Sequence, residues 1–371
     1  MTRRSAIALC LSAAGCRKAS SGFAGYAYVA NEAGQSVAVV DLARFAVAKH
    51  VALGASPSQV LRHPAHKGVF VLAPDWGLIF EIAGKSPAVS RKVRLADRAS
   101  SMQFAPDGSA LWVLCREPKE LVRVPLDTFQ PAAGIPLPFE PFRFDLAQDG
   151  RLCAVSYGTH GDLTIFPLPG GKAGQSIPIG VTAGDVRFRA DSRYLMAANV
   201  DEKRISILDT PSGRVVTHLP LAVRPERFCF KADGGQLFVT GEGMDAVVVV
   251  YPYRTEVDGT LLAGRSPGVM AVSAPPETEY LFVANPPTGD VTILEIETRS
   301  VVAVVGIGDE PGNITLTPDS QYALVLTRRS GSMAVIRVAD LTRIPPRTRS
   351  APLLAMIPVG SKPVSAVVQQ L

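Results

Sequence analysis

Eight short copies of one phrase constrain this chain more than any other feature. "YAYVAN" at position 26 returns as "GVFVLAP" at 68, "ALWVLCR" at 110, "RLCAVSY" at 151, "YLMAAN" at 194, "QLFVTGE" at 236, "YLFVAN" at 280 and "YALVLT" at 322. The spacing is about 42 residues throughout, the length of one supersecondary unit. A second phrase runs in step just ahead of five copies: "MQFAPDG", "FDLAQDG", "VRFRADS", "FCFKADG" and "ITLTPDS". It reads as a strand entering a tight Asp-Gly or Asp-Ser turn. A third run ("SVAVVDL", "RISILDT", "DVTILEI") and a fourth ("VAKHVAL", "VVTHLPL", "VVAVVGI") follow. Val, Ile, Phe and Leu dominate all four, and no amphipathic helical stretch of useful length interrupts them. Four short strands per repeat predict the blade of an all-β propeller. A lone four-stranded sheet leaves two apolar faces and must stack on neighbours to bury them.

The Gly-His and Trp-Asp marks of WD40 blades are missing, since Trp76 and Trp112 are the only tryptophans. The units "YVAN…VAVVDL" and "LFVAN…VTILEI" instead resemble YVTN-type β-propeller repeat proteins, over essentially residues 26–371. That resemblance implies a propeller, commonly of seven blades, and extends to the lactonase-like propellers. The order of strands here predicts eight, with seven as the alternative. The chain opens on a second strand, "YAYVAN", and closes on a first strand, "PVSAVVQQL", so the C-terminal strand is expected to complete the blade begun at residue 26. Joining the termini within one sheet closes the ring and removes both strand edges.

Residues 1–16, "MTRRSAIALCLSAAGC", precede the fold. Arg3 and Arg4 form a positive n-region, Ser5 to Ser12 an apolar h-region, and "AAGC" a small-residue cleavage site. Small residues before a Cys resemble the lipobox of bacterial lipoproteins, which implies cleavage before Cys16 and its lipidation. An ordinary signal peptide with an incidental Cys is the alternative, and "TRRSAI" also has a partial likeness to a twin-arginine signal. Residues 17–25, "RKASSGFAG", read as a tether, and residues 26–371 as a single domain. The expectation is an exported, lipid-anchored protein of the bacterial cell envelope, periplasmic or on the outer surface. The membrane would be met only through that anchor.

The formal charge of +5 is small and scattered, which argues against nucleic acid as a partner. Cys115, Cys153 and Cys229 each sit in an apolar strand and form no disulfide framework or CxxC pair, so buried thiols are expected. "PGGKAGQS" at 169–176 looks phosphate-like but links a third strand to a fourth and opens no helix. No G-x-S-x-G, H-E-x-x-H, P-loop or EF-hand pattern occurs. His63 and His66 in "HPAH" lack a nearby carboxylate to complete a metal set, so no metal and no cofactor is expected from the residues themselves.

Propeller topology points to the face where first strands begin and second strands end, around the channel. There the chain places Arg143, Asp185, Glu226 and Arg227, from three consecutive blades, as a candidate ligand-binding arc; His160 in "YGTHGDL" is a further candidate. The leading expectation is a non-catalytic binding or scaffold module, monomeric, with an unknown protein or small polar ligand at the channel mouth. Two alternatives come from resemblance. Lactonase-like propellers hydrolyse with polar residues at the mouth, but no catalytic motif matches here. Eight-bladed propellers include the haem domain of cytochrome-type nitrite reductases, where a His over the channel is needed; His160 is the candidate, and no C-x-x-C-H occurs.

Overall fold

The computed structural model describes residues 22–84, 86–171, 174–274, 278–341 and 352–371; the leader, Cys16 and most of the tether lie outside them. Eight four-stranded antiparallel sheets form the blades, joined by two three-residue 3-10 turns and loops. Blade 1 contains Gly25–Asn31, Ser36–Asp41 and Ala46–Ala52, with Pro363–Gln370 as its innermost strand. Blades 2 to 8 then follow in chain order, their inner strands being Gln59–Arg62, Arg98–Phe104, Arg143–Leu146, Ala183–Phe188, Arg224–Phe230, Met270–Val272 and Pro311–Leu316. The ring therefore closes as the strand order predicts, with Val29 opposite Ala366 and Tyr28 opposite Val367. Among the described residues no helix is long and apolar enough to cross a membrane.

The core lies between blades. Side chains alternate faces along a strand, so each second strand feeds two interfaces. Ala27 and Val29 pack with Leu324 and Val335 of blade 8, whereas Tyr28 and Ala30 pack with Val69 and Val71 of blade 2. The same division recurs around the ring in eight apolar clusters, one per blade junction. This is why second and third strands read as unbroken apolar runs. The outermost strands face water, as the mostly exposed Ala46–Ala52 shows. Cys115 and Cys153 are buried and Cys229 partly so, all as free thiols. Burial pushes the Cys115 thiol up to about 12 and Cys229 up to about 11, which leaves neither as a thiolate.

Two repeated polar marks have structural duties. In the turn phrase, the Asp carboxylate accepts the N–H two residues on: Asp107 from Ser109, Asp149 from Arg151, Asp191 from Arg193, Asp233 from Gly235 and Asp319 from Gln321. The Asn of "YVAN" is buried at the strand end; Asn31 and Asn199 fasten the crossover into the inner strand, whereas Asn285 Nδ2 bonds Asp290 Oδ1 at 2.7 Å and Thr292 Oγ1 at 2.9 Å in its own blade. Asn31 Nδ2 donates to Val359 O at 2.7 Å, and Asn199 Nδ2 to Ile179 O at 2.6 Å. Gly360, at φ +131, follows Val359; a Cβ there would stand 2.6 Å from Asn31 Nδ2. Only glycine admits both the backbone conformation and the amide beside it.

Candidate functional site

Each inner strand has one residue just before a buried apolar side chain at the matching position, namely Val60, Met102, Phe144, Val186, Phe228, Met270, Ile314 and Ala366. In blade order from 2 the preceding residues are Gln59, Ser101, Arg143, Asp185, Arg227, Val269, Asn313 and, closing the ring, Ser365. Bulges at the starts of several inner strands turn these residues toward the channel: the ladder shifts between Ala99 and Ser101, Ala183 and Val186, Pro225 and Arg227, and Pro311 and Asn313. At four positions the side chain accepts a backbone N–H from the next blade's inner strand. Ser365 Oγ takes Val60 N (3.1 Å), Gln59 Oε1 takes Met102 N (2.9 Å), Asp185 Oδ2 takes Phe228 N (3.3 Å), and Asn313 Oδ1 takes Ala366 N (3.2 Å). These bonds stitch the channel wall.

Arg143 and Arg227 occupy the same layer, but a guanidinium has no acceptor and cannot make the stitch. Arg143 lies over the Phe142 ring at 4.5 Å and donates to Phe142 O at 3.3 Å. Burial, followed by the Arg227 charge, lowers its pKa; Arg187 and Arg116 act the same way and Asp185 opposes them. Four arginines from blades 3 to 6 thus converge electrostatically on one side of the mouth. Arg227 and Glu226 are exposed on its rim. Arg116 Nε is buried with no hydrogen-bond partner among the described residues, and its Nη1 is 3.8 Å from Glu140.

One layer deeper, Arg187 is the arginine whose charge is met. Its Nη1 is 3.4 Å from Asp145 Oδ1 and its Nη2 3.8 Å from Asp185 Oδ2. Burial alone would lower the Arg187 pKa, but the two carboxylates outweigh it and raise it. Asp145 also accepts Phe188 N at 2.8 Å, yet burial prevails and pushes its carboxyl up to about 6. Asp185 is buried and serves this network beneath the mouth. Arg143, Arg227 and Arg116 make up the cationic part of the mouth itself. A cleft of about 450 Å³ extends the mouth from Glu226 and Arg227 across blades 6 to 8, past Glu242 and Glu310 to Arg328, with Pro267, Pro286 and Pro311 as rigid walls.

His160 sits on the same face, in the loop between the second and third strands of blade 4. Its ring stacks on Phe139 with centroids 3.4 Å apart, and its Nδ1 is 3.7 Å from Asp162. The side chain is 43% exposed, open enough to meet a ligand. Gly161, at φ +79, keeps the loop tight: a Cβ there would sit 2.0 Å from Gly180 O. The other four histidines lie elsewhere. His50 and His218 are on outermost strands, and His63 and His66 occupy the inner turn of blade 2 on the opposite face. Among the described residues no cluster of three or more His, Cys, Asp or Glu side chains is placed to hold a metal ion.

Sequence reasoning placed Arg143, Asp185, Glu226 and Arg227 at the mouth but missed Arg116, Arg187, Asp145 and Phe139. Asp145 and Arg187 stand two residues beyond Arg143 and Asp185, so the inner-strand alignment could have found them. Arg116 stands just past an apolar run, where nothing local marks it.

No family model matches the chain, and neither does any curated protein. Solved structures do resemble it. "Dihydro-heme d1 dehydrogenase NirN in complex with DHE" aligns with a TM-score of 0.77 at 16% identity, covering 93% of this chain and 75% of that one. A functionally unknown protein from Desulfotomaculum acetoxidans aligns at 0.61 and 13% identity, covering 93% and 98%. Kuenenia stuttgartiensis hydrazine synthase aligns at 0.58 and 14%, covering 73% and 94%. At such identities the likeness is one of fold: this chain is an eight-bladed β-propeller built like these proteins.

Proposed function

We infer that this chain is a YVTN-type propeller acting as a binding module, and that it holds a planar, carboxylate-bearing ligand, a haem-related tetrapyrrole, over the mouth of its channel. The observation that carries this reading is the pair Arg143 and Arg227, donor-only side chains standing where four of the other six blades place a wall-stitching acceptor. With Arg116 they form a partly desolvated cationic cluster that an anion would relieve. Guanidiniums suit carboxylates by their forked geometry. Phe142 beneath Arg143, and the Phe139–His160 stack nearby, offer flat surface beside the charge. A macrocycle edged with carboxylates fits that combination. The structural neighbour solved with DHE makes a haem-related group the favoured member of the class.

Arg116, Arg143 and Arg227 would hold the ligand's carboxylates, and His160 would supply the one imidazole on this face. When bound, an iron-bearing group would bring redox or ligand-binding chemistry; the residues of this chain anchor, orient and partly cover it. The N-terminal leader, cleavage before Cys16 and attachment of a monomer to an envelope membrane complete the proposal.

The test is an absorbance titration with haemin and with iron-free coproporphyrin. Both should bind, and a porphyrin without carboxylates should not. A charge-assisted bond contributes roughly 1.5–3 kcal/mol, about tenfold or more in affinity. Arg143→Ala and Arg227→Ala should each lose that much; Arg227 is exposed and contributes only about 0–1 kcal/mol to stability, and Arg143→Ala gives up one hydrogen bond, to Phe142 O, of about 0.5–1.5 kcal/mol. His160→Ala should alter the haemin spectrum and leave iron-free binding intact. Equal binding of the carboxylate-free porphyrin, or wild-type affinity in both arginine variants, overturns the reading.

A further inference from the structure

A second cleft, of about 730 Å³, opens on the opposite face between blades 2 and 3. Two struts hold it open. At its inner end His63 Nδ1 accepts the N–H groups of Ala65 (3.0 Å) and His66 (2.8 Å). That arrangement places the proton on Nε2, which donates to Gly108 O of blade 3 at 3.1 Å. Burial lowers the His63 pKa further, so the strut is a neutral imidazole with no lone pair left for a metal. At its outer end Arg91 of blade 2 reaches blade 3, donating to Leu126 O at 3.0 Å and lying 4.5 Å over the Phe129 ring. Its Nε is committed to Glu81 Oε2 at 2.6 Å, which cancels that charge.

Between the struts the lining is chemically two-sided. The rings differ in access: His66 is exposed and stacks on the buried His63 at 4.6 Å, while Phe70, 2% exposed and edge-on to Phe104 at 5.5 Å, closes the floor behind them. Lys67 and Arg123 line the same space and neither is in a salt bridge among the described residues; Asp127 lines it too, and the Arg123 charge also acts on Asp107. The hydroxyls of Ser109 and Thr128 lie beside them. A preformed gap with an exposed imidazole face and two cations outside any salt bridge is complementary to an aromatic anion.

The geometry points to a second ligand site here, separate from the channel mouth, that takes a small aromatic carboxylate. The ring would lie against His66, and the carboxylate between Lys67 and Arg123. The probes are benzoate, 4-hydroxybenzoate, phenylacetate and indole-3-acetate, with 4-hydroxybenzyl alcohol as neutral control, followed by ligand-observed NMR and calorimetry on the full chain. At least one acid should bind with a dissociation constant below about 5 mM, and the alcohol at least about fivefold more weakly. Lys67→Gln, at the surface, and Arg123→Gln, half-buried but outside any salt bridge, should melt close to wild type and weaken the acid at least about fivefold each. Absence of binding by all four acids at that concentration, equal binding of the alcohol, or wild-type affinity in both variants overturns the inference.

Discussion

The bond from Asn31 Nδ2 to Val359 O joins residues 328 positions apart and fastens the ends of the chain at ring closure. Replacing Asn31 by Ala removes that donor. Both residues are fully buried, so the Val359 carbonyl is left without a partner or water, at a cost of about 1–3 kcal/mol. Asn31 Oδ1 already accepts nothing from the described residues, so its removal relieves a small penalty and places the net loss toward the lower half of that range. Gly360→Ala reaches the same bond from the other side. Its Cβ would lie 2.6 Å from Nδ2 and 2.9 Å from Cγ, closer than real contacts allow, so the amide must swing away and release Val359. The φ of +131 adds strain of roughly 1–3 kcal/mol. In the double variant the bond is lost only once, and no amide remains to collide with the methyl. The pair should therefore be less destabilised than the sum of the singles by about 1–2 kcal/mol, beyond the ~0.5 kcal/mol scatter of independent sites. Urea unfolding of the full chain, followed by the fluorescence of buried Trp112, measures all four corners of the cycle. Additivity within that scatter would refute the claim that Asn31 and Gly360 act through one clasp.

Asp145 makes stability depend on pH. Its carboxyl is raised from an ordinary 3.8 to about 6 by burial, so the folded state holds the proton more tightly than the unfolded chain, and stability falls as pH rises from about 4 to 6. The full effect is about 3 kcal/mol at most. Asp145→Asn should gain in melting temperature relative to wild type across that window, and a pH-independent difference between the two would remove the argument. Protonating Asp145 also withdraws a negative charge from beneath the arginines, so coproporphyrin should bind more tightly to wild type at pH 5.5 than at 7.5. That gain should be absent in Asp145→Asn. Mass spectrometry of the mature N-terminus tests the leader: a lipid-modified Cys16 is expected, lost in Cys16→Ser, and an unmodified start elsewhere removes the anchor.

The repeating phrases were enough to give the blade, the number of blades and the joining of the termini. Each of these is a matter of local period: a strand buried on both faces must read as an apolar run, and a ring must use every strand it begins. The turn phrase was legible for the same reason, since Asp107 and its four counterparts bond within two residues of themselves. The duty of the Asn in "YVAN" was not, because Asn31 meets Val359 only after the ring has closed. Arg143 and Arg227 could be placed at the mouth from strand order alone. That they matter as exceptions became visible only when Gln59, Asp185, Asn313 and Ser365 were seen bonding the neighbouring blade in the same layer. Asp145 and Arg187, likewise, meet across a blade junction. His63 read as half of a histidine pair, and the fold made it a strut by setting Gly108 of the next blade against its Nε2. Strand pattern is written within a few residues of chain, whereas charge and hydrogen-bond partnership at the channel depend on blades about 42 residues apart that only stacking brings together.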